Sequence, residues 1–148
     1  MSTSTPSQPV IFNRRQIRQN RDRAYPAFAS HRFLIRWCHD RLIDRLSDIK
    51  KSFSRILVIG ARDASYLTSQ LQQQYENADI YVTDCSLPFL KDASAAAIQS
   101  EEDFLPFANN CFDLVLSGFG LHTVNDLPGA FYHIQRVLKP DGAFLAAF

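Results

Sequence analysis

Residues 55–86 read RILVIGARDASYLTSQLQQQYENADIYVTDCS, and this stretch decides the fold. Ile56-Leu57-Val58-Ile59 is an unbroken apolar run closed by Gly60, the pattern of a strand buried on both faces of a parallel sheet. Ala64 to Tyr75 then carries Leu67 and Leu71 on one helical face and Gln72 to Gln74 on the other, with Asp63 or Ser65 placed to cap it. Asp79 to Asp84 (DIYVTD) is β-branched and aromatic and ends on an acid, which predicts a second strand. Strand, helix and strand in immediate succession form a βαβ unit, whose crossover is right-handed.

The alternation continues outward. Ser86 and Pro88 start a short helix, Ala95 to Gln99 is a short third strand, and Phe112 to Ser117 (FDLVLS) is a fourth. Leu127 to Leu138 is helical, begun by Asn125, Asp126 and Pro128 and buried through Leu127, Ala130, Phe131, Ile134, Val137 and Leu138. Lys139-Pro140-Asp141-Gly142 ends that helix, and Ala143 to Phe148 is a fifth strand. On the amino-terminal side, Leu34, Cys38, Leu42, Leu46 and Ile49 repeat at helical spacing with Trp37 beside them, so His31 to Lys51 is read as an amphipathic packing helix. Phe12 to Arg23 (FNRRQIRQNRDR) is basic and reads as a helix ending near Pro26. The expected organisation is a disordered tail over 1–10, a basic helical region over 11–54 and one domain over 55–148. That domain is α/β, a Rossmann-like doubly wound parallel sheet of strand order 3-2-1-4-5.

The chain has 148 residues, 46% hydrophobic and 21% charged, which suits one domain with a real core. Its net charge of +1 hides two opposite halves: 12 Lys and Arg against 4 Asp and Glu up to Arg55, or +8, and 4 against 11 beyond it, or −7. A basic arm of this kind contacts an acidic partner, RNA, a membrane surface or the body of its own protein, the last being the plainest reading. It carries no aromatic stacking platform, which disfavours nucleic acid. Cys38, Cys85 and Cys111 are odd in number and far apart, and His31, His39, His122 and His133 form no ligand array, so neither a disulfide framework nor a metal is expected. No run of apolar residues is long enough to span a bilayer. A reducing cytoplasm is the expected compartment; the acid-free, Arg-bearing stretch up to Arg21 leaves the mitochondrial matrix as the alternative.

In a sheet of this kind ligands bind beyond the carboxyl ends of the strands. Gly60 permits a tight turn and close backbone approach, and Asp84, 24 residues later, places a carboxylate where it can accept both hydroxyls of a ribose. The run Gly60-Ala61-Arg62-Asp63-Ala64-Ser65 keeps only the first glycine of G-x-G-x-x-G, so a dinucleotide reading is weak.

Glu101-Glu102-Asp103-Phe104-Leu105-Pro106-Phe107, then FDLVLS, LHTVNDLPGAF and IQRVLKPDG, resemble the class I S-adenosylmethionine (SAM) dependent methyltransferases of the type 11 group. Phe12-Asn13-Arg14, Asp44-Arg45-Leu46, EEDFLPF and Leu121 to Leu127 are similar to one subfamily, the methyltransferase-like assembly factors of respiratory complex I, which are arginine hydroxylases, and their alphaproteobacterial relatives. Malonyl-carrier methyltransferases of the biotin pathway are more distant cousins. The resemblance implies SAM as cofactor and a protein side chain as acceptor. It also implies that Gly60 faces the methionine part, Asp84 the ribose and Glu101 with the Glu102 backbone the adenine, while Cys85 borders the pocket. Ser117 and Gly118 would line the floor beside the sulfonium, and His122 would face substrate unless it simply packs or caps in its loop.

The sequence departs from that group in two ways. The first motif, acid-x-G-x-G-x-G, has Val58 at the acid and Arg62 and Ala64 at the later glycines, which is expected to weaken or abolish SAM binding. The strands 6 and 7 that follow the fifth strand in relatives are missing, so an exposed fifth strand is expected to self-associate or meet a partner, or the chain is a fragment. An active enzyme and an inactive SAM-fold module for assembly or interaction both stay open.

Overall fold

The computed structural model describes residues 10–60 and 62–148. The tail expected over 1–10 therefore falls almost wholly outside the described residues. The elements are α1 (Arg14–Phe28), α2 (Phe33–Ser47), β1 (Arg55–Ile59), α3 (Ala64–Gln74), β2 (Asp79–Asp84), α4 (Leu87–Lys91), β3 (Ala96–Gln99), β4 (Phe112–Gly118), a 3-10 turn at Leu121–Thr123, α5 (Leu127–Val137) and β5 (Leu138–Ala147). The sheet has five parallel strands in the order β3-β2-β1-β4-β5, as the alternation predicts.

Alternating residues of β1 build a core on each face of the sheet. Ile56 and Val58 join Leu46, Leu67, Leu71 and Leu116 on one side, while Leu57 and Ile59 join Val115, Ala130, Ile134 and Val137 on the other. β4 is buried along its whole length, which explains the apolar run Leu114 to Leu116. Phe112 breaks the alternation: it lies on the α5 face although Leu114 and Leu116 lie on the opposite one, and the β4–β5 register shifts between Phe112 and Leu114. Asp113, at that irregularity, accepts from the Ser54 hydroxyl at 2.7 Å, the Arg55 N–H at 2.9 Å and Lys139 Nζ at 2.8 Å. Burial pushes its carboxyl up, but these donors outweigh it and hold the pKa at about 2.

Four elements differ from their sequence reading. α1 runs through Pro26 to Phe28, although the proline gives up the bond its N–H would make to the carbonyl four residues earlier. α2 is shorter at both ends than 31–51, and its buried face is Ile35, Cys38, His39, Leu42 and Leu46, leaving Leu34 and Trp37 exposed. Asp63 precedes α3 in the left-handed region (φ 54°) and makes no capping bond; its carboxylate pairs with Arg36 and Arg32 of α2 instead. β5 begins at Leu138 rather than Ala143, because Lys139 to Gly142 bulge out of a pairing that links Leu138 to Phe112 and Ala143 to Leu114. No helix among the described residues is long and apolar enough to cross a membrane.

Candidate functional site

The carboxyl ends of β1, β2, β3 and β4 meet along one edge of the sheet. Gly60 closes β1 with φ +85°, and a side chain there would come within 3.2 Å of the Gly120 backbone, so the loops after β1 and β4 touch main chain to main chain. Asp84 ends β2 at 1% exposure, with the fully buried Ser86 following it; the Ser86 N–H donates to Asp84 Oδ1 at 2.7 Å. Glu101 and Glu102 lie just past β3, Glu101 partly exposed and Glu102 buried. Ser117 is buried near the end of β4, while His122 stands exposed in the 3-10 turn. The structure thus gathers Asp84, Cys85, Glu101 and Glu102 into one acidic cluster, with Gly60 and Ser117 at the neighbouring strand ends and His122 at the rim.

Arginines of α1, missed in the sequence, fill that cluster. Arg21 Nη1 lies 2.8 Å from Glu102 Oε1, 3.2 Å from Asp84 Oδ1 and 3.2 Å from Cys85 Sγ. Arg14 donates to both Glu101 and Glu102 and to the Thr123 carbonyl, and Arg18 reaches Glu101 at 3.7 Å. Burial opposes the charge of Arg21, yet Asp84 and Glu102 outweigh it and raise its pKa. Burial pushes the Cys85 thiol up to about 12, with Arg21 pulling the other way, so no thiolate is available at neutral pH. α1 is seated by aromatic contacts as well: Tyr25 and Phe28 each meet Phe89 of α4 edge-to-face, at 5.2 and 4.9 Å between centroids. The only earlier signal for this docking was the opposition of a +8 half and a −7 half.

Ligand atoms of Cys85, Glu101 and Glu102 all lie within 4.8 Å of one another, as a metal site would need. Arg14 and Arg21 already supply the positive charge there, so the geometry is accounted for without an ion.

A different cation stands at the β1 end. Arg62 donates from Nη2 to the Phe119 carbonyl, its Nε is buried without a partner, and it forms no ion pair among the described residues. Burial lowers its pKa and Arg21 lowers it further, against the pull of Asp84 and Glu102. Nearby, the Ser117 hydroxyl and both ring nitrogens of His39 are buried without hydrogen-bond partners. The His39 ring packs against Gly118, where an added Cβ would sit 2.9 Å from it. A cleft of about 320 Å³ runs beside these groups, lined in part by Asn20, Arg21, Arg62, Phe89, His122 and Thr123.

His39 gives this edge a pH signature. It is 1% exposed, and burial pushes its pKa down from 6.5 to about 4, with Asp63 raising it and Arg62 lowering it further. The unfolded chain takes up this proton as pH falls through 6.5, whereas the folded chain does not until about 4, so stability is expected to decline across that window. The loss amounts to about 3 kcal/mol when complete. His39→Leu should flatten it, measured as urea midpoints at pH 7 and pH 5; an unchanged slope would show that another group is responsible.

S-adenosylmethionine, the cofactor implied by the sequence, meets a divided site. The acids at the ends of β2 and β3 have the chemistry for the nucleoside half, since carboxylates accept from vicinal hydroxyls and an exocyclic amine, but a nucleoside would have to displace Arg14 and Arg21 from them. A sulfonium lying at the β1 end would face Arg62, and Val58, at the motif's acid position, is a core residue 1% exposed.

A family model described as a methyltransferase domain matches residues 57–146. The chain is 35% identical over 144 residues to the mitochondrial arginine-hydroxylase NDUFAF5 of Danio rerio, covering 93% of this chain and 44% of that protein. It is 36% identical over 106 residues to malonyl-[acyl-carrier protein] O-methyltransferase 1 of Coxiella burnetii, covering 72% of this chain and 37% of that one. Among solved structures, a methyltransferase of Haloferax volcanii in complex with its Trm112 activator shares the fold, with a TM-score of 0.75 at 18% identity over 88% of this chain and 59% of that one. The chain therefore spans less than half the length of these curated relatives. A match over most of the chain, joined to the strand order and to relatives of this identity, shows that it belongs to the methyltransferase domain family, on the class I Rossmann-like fold.

Proposed function

We propose that this chain is the cofactor-binding part of a SAM-dependent methyltransferase-like protein that methylates or hydroxylates a protein side chain in the assembly of respiratory complex I. The observation that carries the reading is the convergence of Asp84, Glu101 and Glu102 at the strand ends beside Gly60, carboxylates that a nucleoside would take over from Arg14 and Arg21. The likeness to an arginine hydroxylase supports a protein side chain as acceptor. For methyl transfer the chain need supply no nucleophile of its own, only a position for the acceptor against the methyl carbon. Ser117 and Gly118 would form the floor there, Cys85 would border the nucleoside and His122 would face the acceptor at the rim. The compartment that goes with this role is the bacterial cytoplasm or the mitochondrial matrix. Self-association through the outer edge of β5 belongs to the same reading and would register in light scattering as a mass that rises with concentration.

The second reading is an inactive member of the fold used as an assembly or interaction module. Arg21 on Asp84 and Arg62 on the Phe119 carbonyl favour it, since both sit where a cofactor would. Isothermal calorimetry with SAM and with S-adenosylhomocysteine separates the two. The first reading expects heat that Asp84→Asn abolishes; silence from both ligands at millimolar concentration leaves the module.

A further inference from the structure

We propose that Arg62 makes this site select the neutral thioether form of an adenosyl ligand, S-adenosylhomocysteine, over the sulfonium form, SAM. The inference rests on the nucleoside reading above. With the ribose at the end of β2 and the adenine beyond β3, the sheet order β3-β2-β1-β4 carries the ligand's 5′ substituent to the ends of β1 and β4. Arg62 stands there, two residues past Gly60, with its guanidinium on the Phe119 carbonyl.

Three features make its charge effective. It has no ion-pair partner among the described residues; Asp84 and Glu102, whose charges act on it, accept from Arg21, and the neighbouring Asp63 pairs with Arg32 and Arg36. Its Nε is shut away from solvent and unpaired, so water screens it poorly. The other polar groups at this end, the Ser117 hydroxyl and the His39 ring, are dipoles without a partner and provide no counter-charge. A sulfonium brought to this position adds a second fixed cation; a thioether adds none.

Calorimetry on the full chain tests this with SAM and S-adenosylhomocysteine against the wild type, Arg62→Gln and Arg62→Lys. The wild type should bind the thioether at least about tenfold more tightly, Arg62→Gln should bring the two within about twofold, and Arg62→Lys, which keeps the charge, should retain most of the preference. Equal affinities in the wild type, or a ratio unchanged in Arg62→Gln, overturn the selectivity while leaving the nucleoside site standing. If Arg62→Gln fails to fold by circular dichroism, the ratios of the wild type and Arg62→Lys decide. Silence from both ligands in all three proteins overturns the nucleoside reading, and the selectivity with it.

Discussion

Replacing Arg21 with alanine is expected to lower the stability of the chain by about 3–5 kcal/mol, because it takes the guanidinium of a buried ion pair away from carboxylates held out of water. Arg21 is 9% exposed and Asp84 and Glu102 are each 1% exposed, so solvent cannot replace the lost guanidinium without opening the edge. Arg14 still reaches Glu102 and the Ser86 N–H still donates to Asp84, which places the expected cost toward the lower end. Urea denaturation followed by circular dichroism measures it. A loss below 1 kcal/mol would mean that α1 is not seated on the acidic edge in solution. The same substitution removes a guanidinium from the edge where the nucleoside is proposed to lie, so adenosyl ligands should bind Arg21→Ala more tightly than the wild type at temperatures where both are folded.

The second large effect belongs to Phe112. It is 2% exposed, opens β4 and meets Phe107 and Tyr81 edge-to-face at 4.9 and 5.6 Å between centroids. Truncation to alanine removes a ring from a close-packed cluster and should cost about 3–5 kcal/mol, whereas leucine, which refills much of the volume, should cost clearly less. The site feels this loss indirectly, since Phe112 packs with Leu105 and Leu121, buried residues of the loops that carry Glu102 and His122. Denaturation midpoints of the two variants measure the contrast; equal losses would indicate that the bulge at Phe112, rather than its volume, sets the cost.

The strands of this sheet are legible because parallel strands leave a local trace: Ile56 to Ile59 and Leu114 to Leu116 are apolar on both faces, and each run ends beside a turn residue. Asp84, Glu101 and Glu102 are legible as site candidates because the topology alone carries them to one edge. The start of β5 is not, since Lys139-Pro140-Asp141-Gly142 has turn composition but lies in a bulge whose partner strand is 26 residues away in sequence, as the Lys139–Asp113 contact shows. Arg21 is hidden for a stronger reason. In the sequence it is one of several arginines on a helix with no clean apolar stripe, and its partners are 63 to 81 residues distant. Long-range charge pairing has no periodicity to detect. Likewise Arg62 is visible as a lost glycine, but its lack of a carboxylate partner appears only in three dimensions.

The seating of α1 also orders events during synthesis. The helix leaves the ribosome before the sheet it docks on, and Glu102, which holds Arg21, follows 81 residues later. At a synthesis rate of about 5–20 residues per second that interval is roughly 4–16 s. Throughout it α1 is a free cationic segment beside an unfinished sheet, and it can dock only after β3 and the acidic loop have formed. A segment made before the sheet therefore finds its place only after it, and until then its arginines are open to whatever acidic surface is nearest.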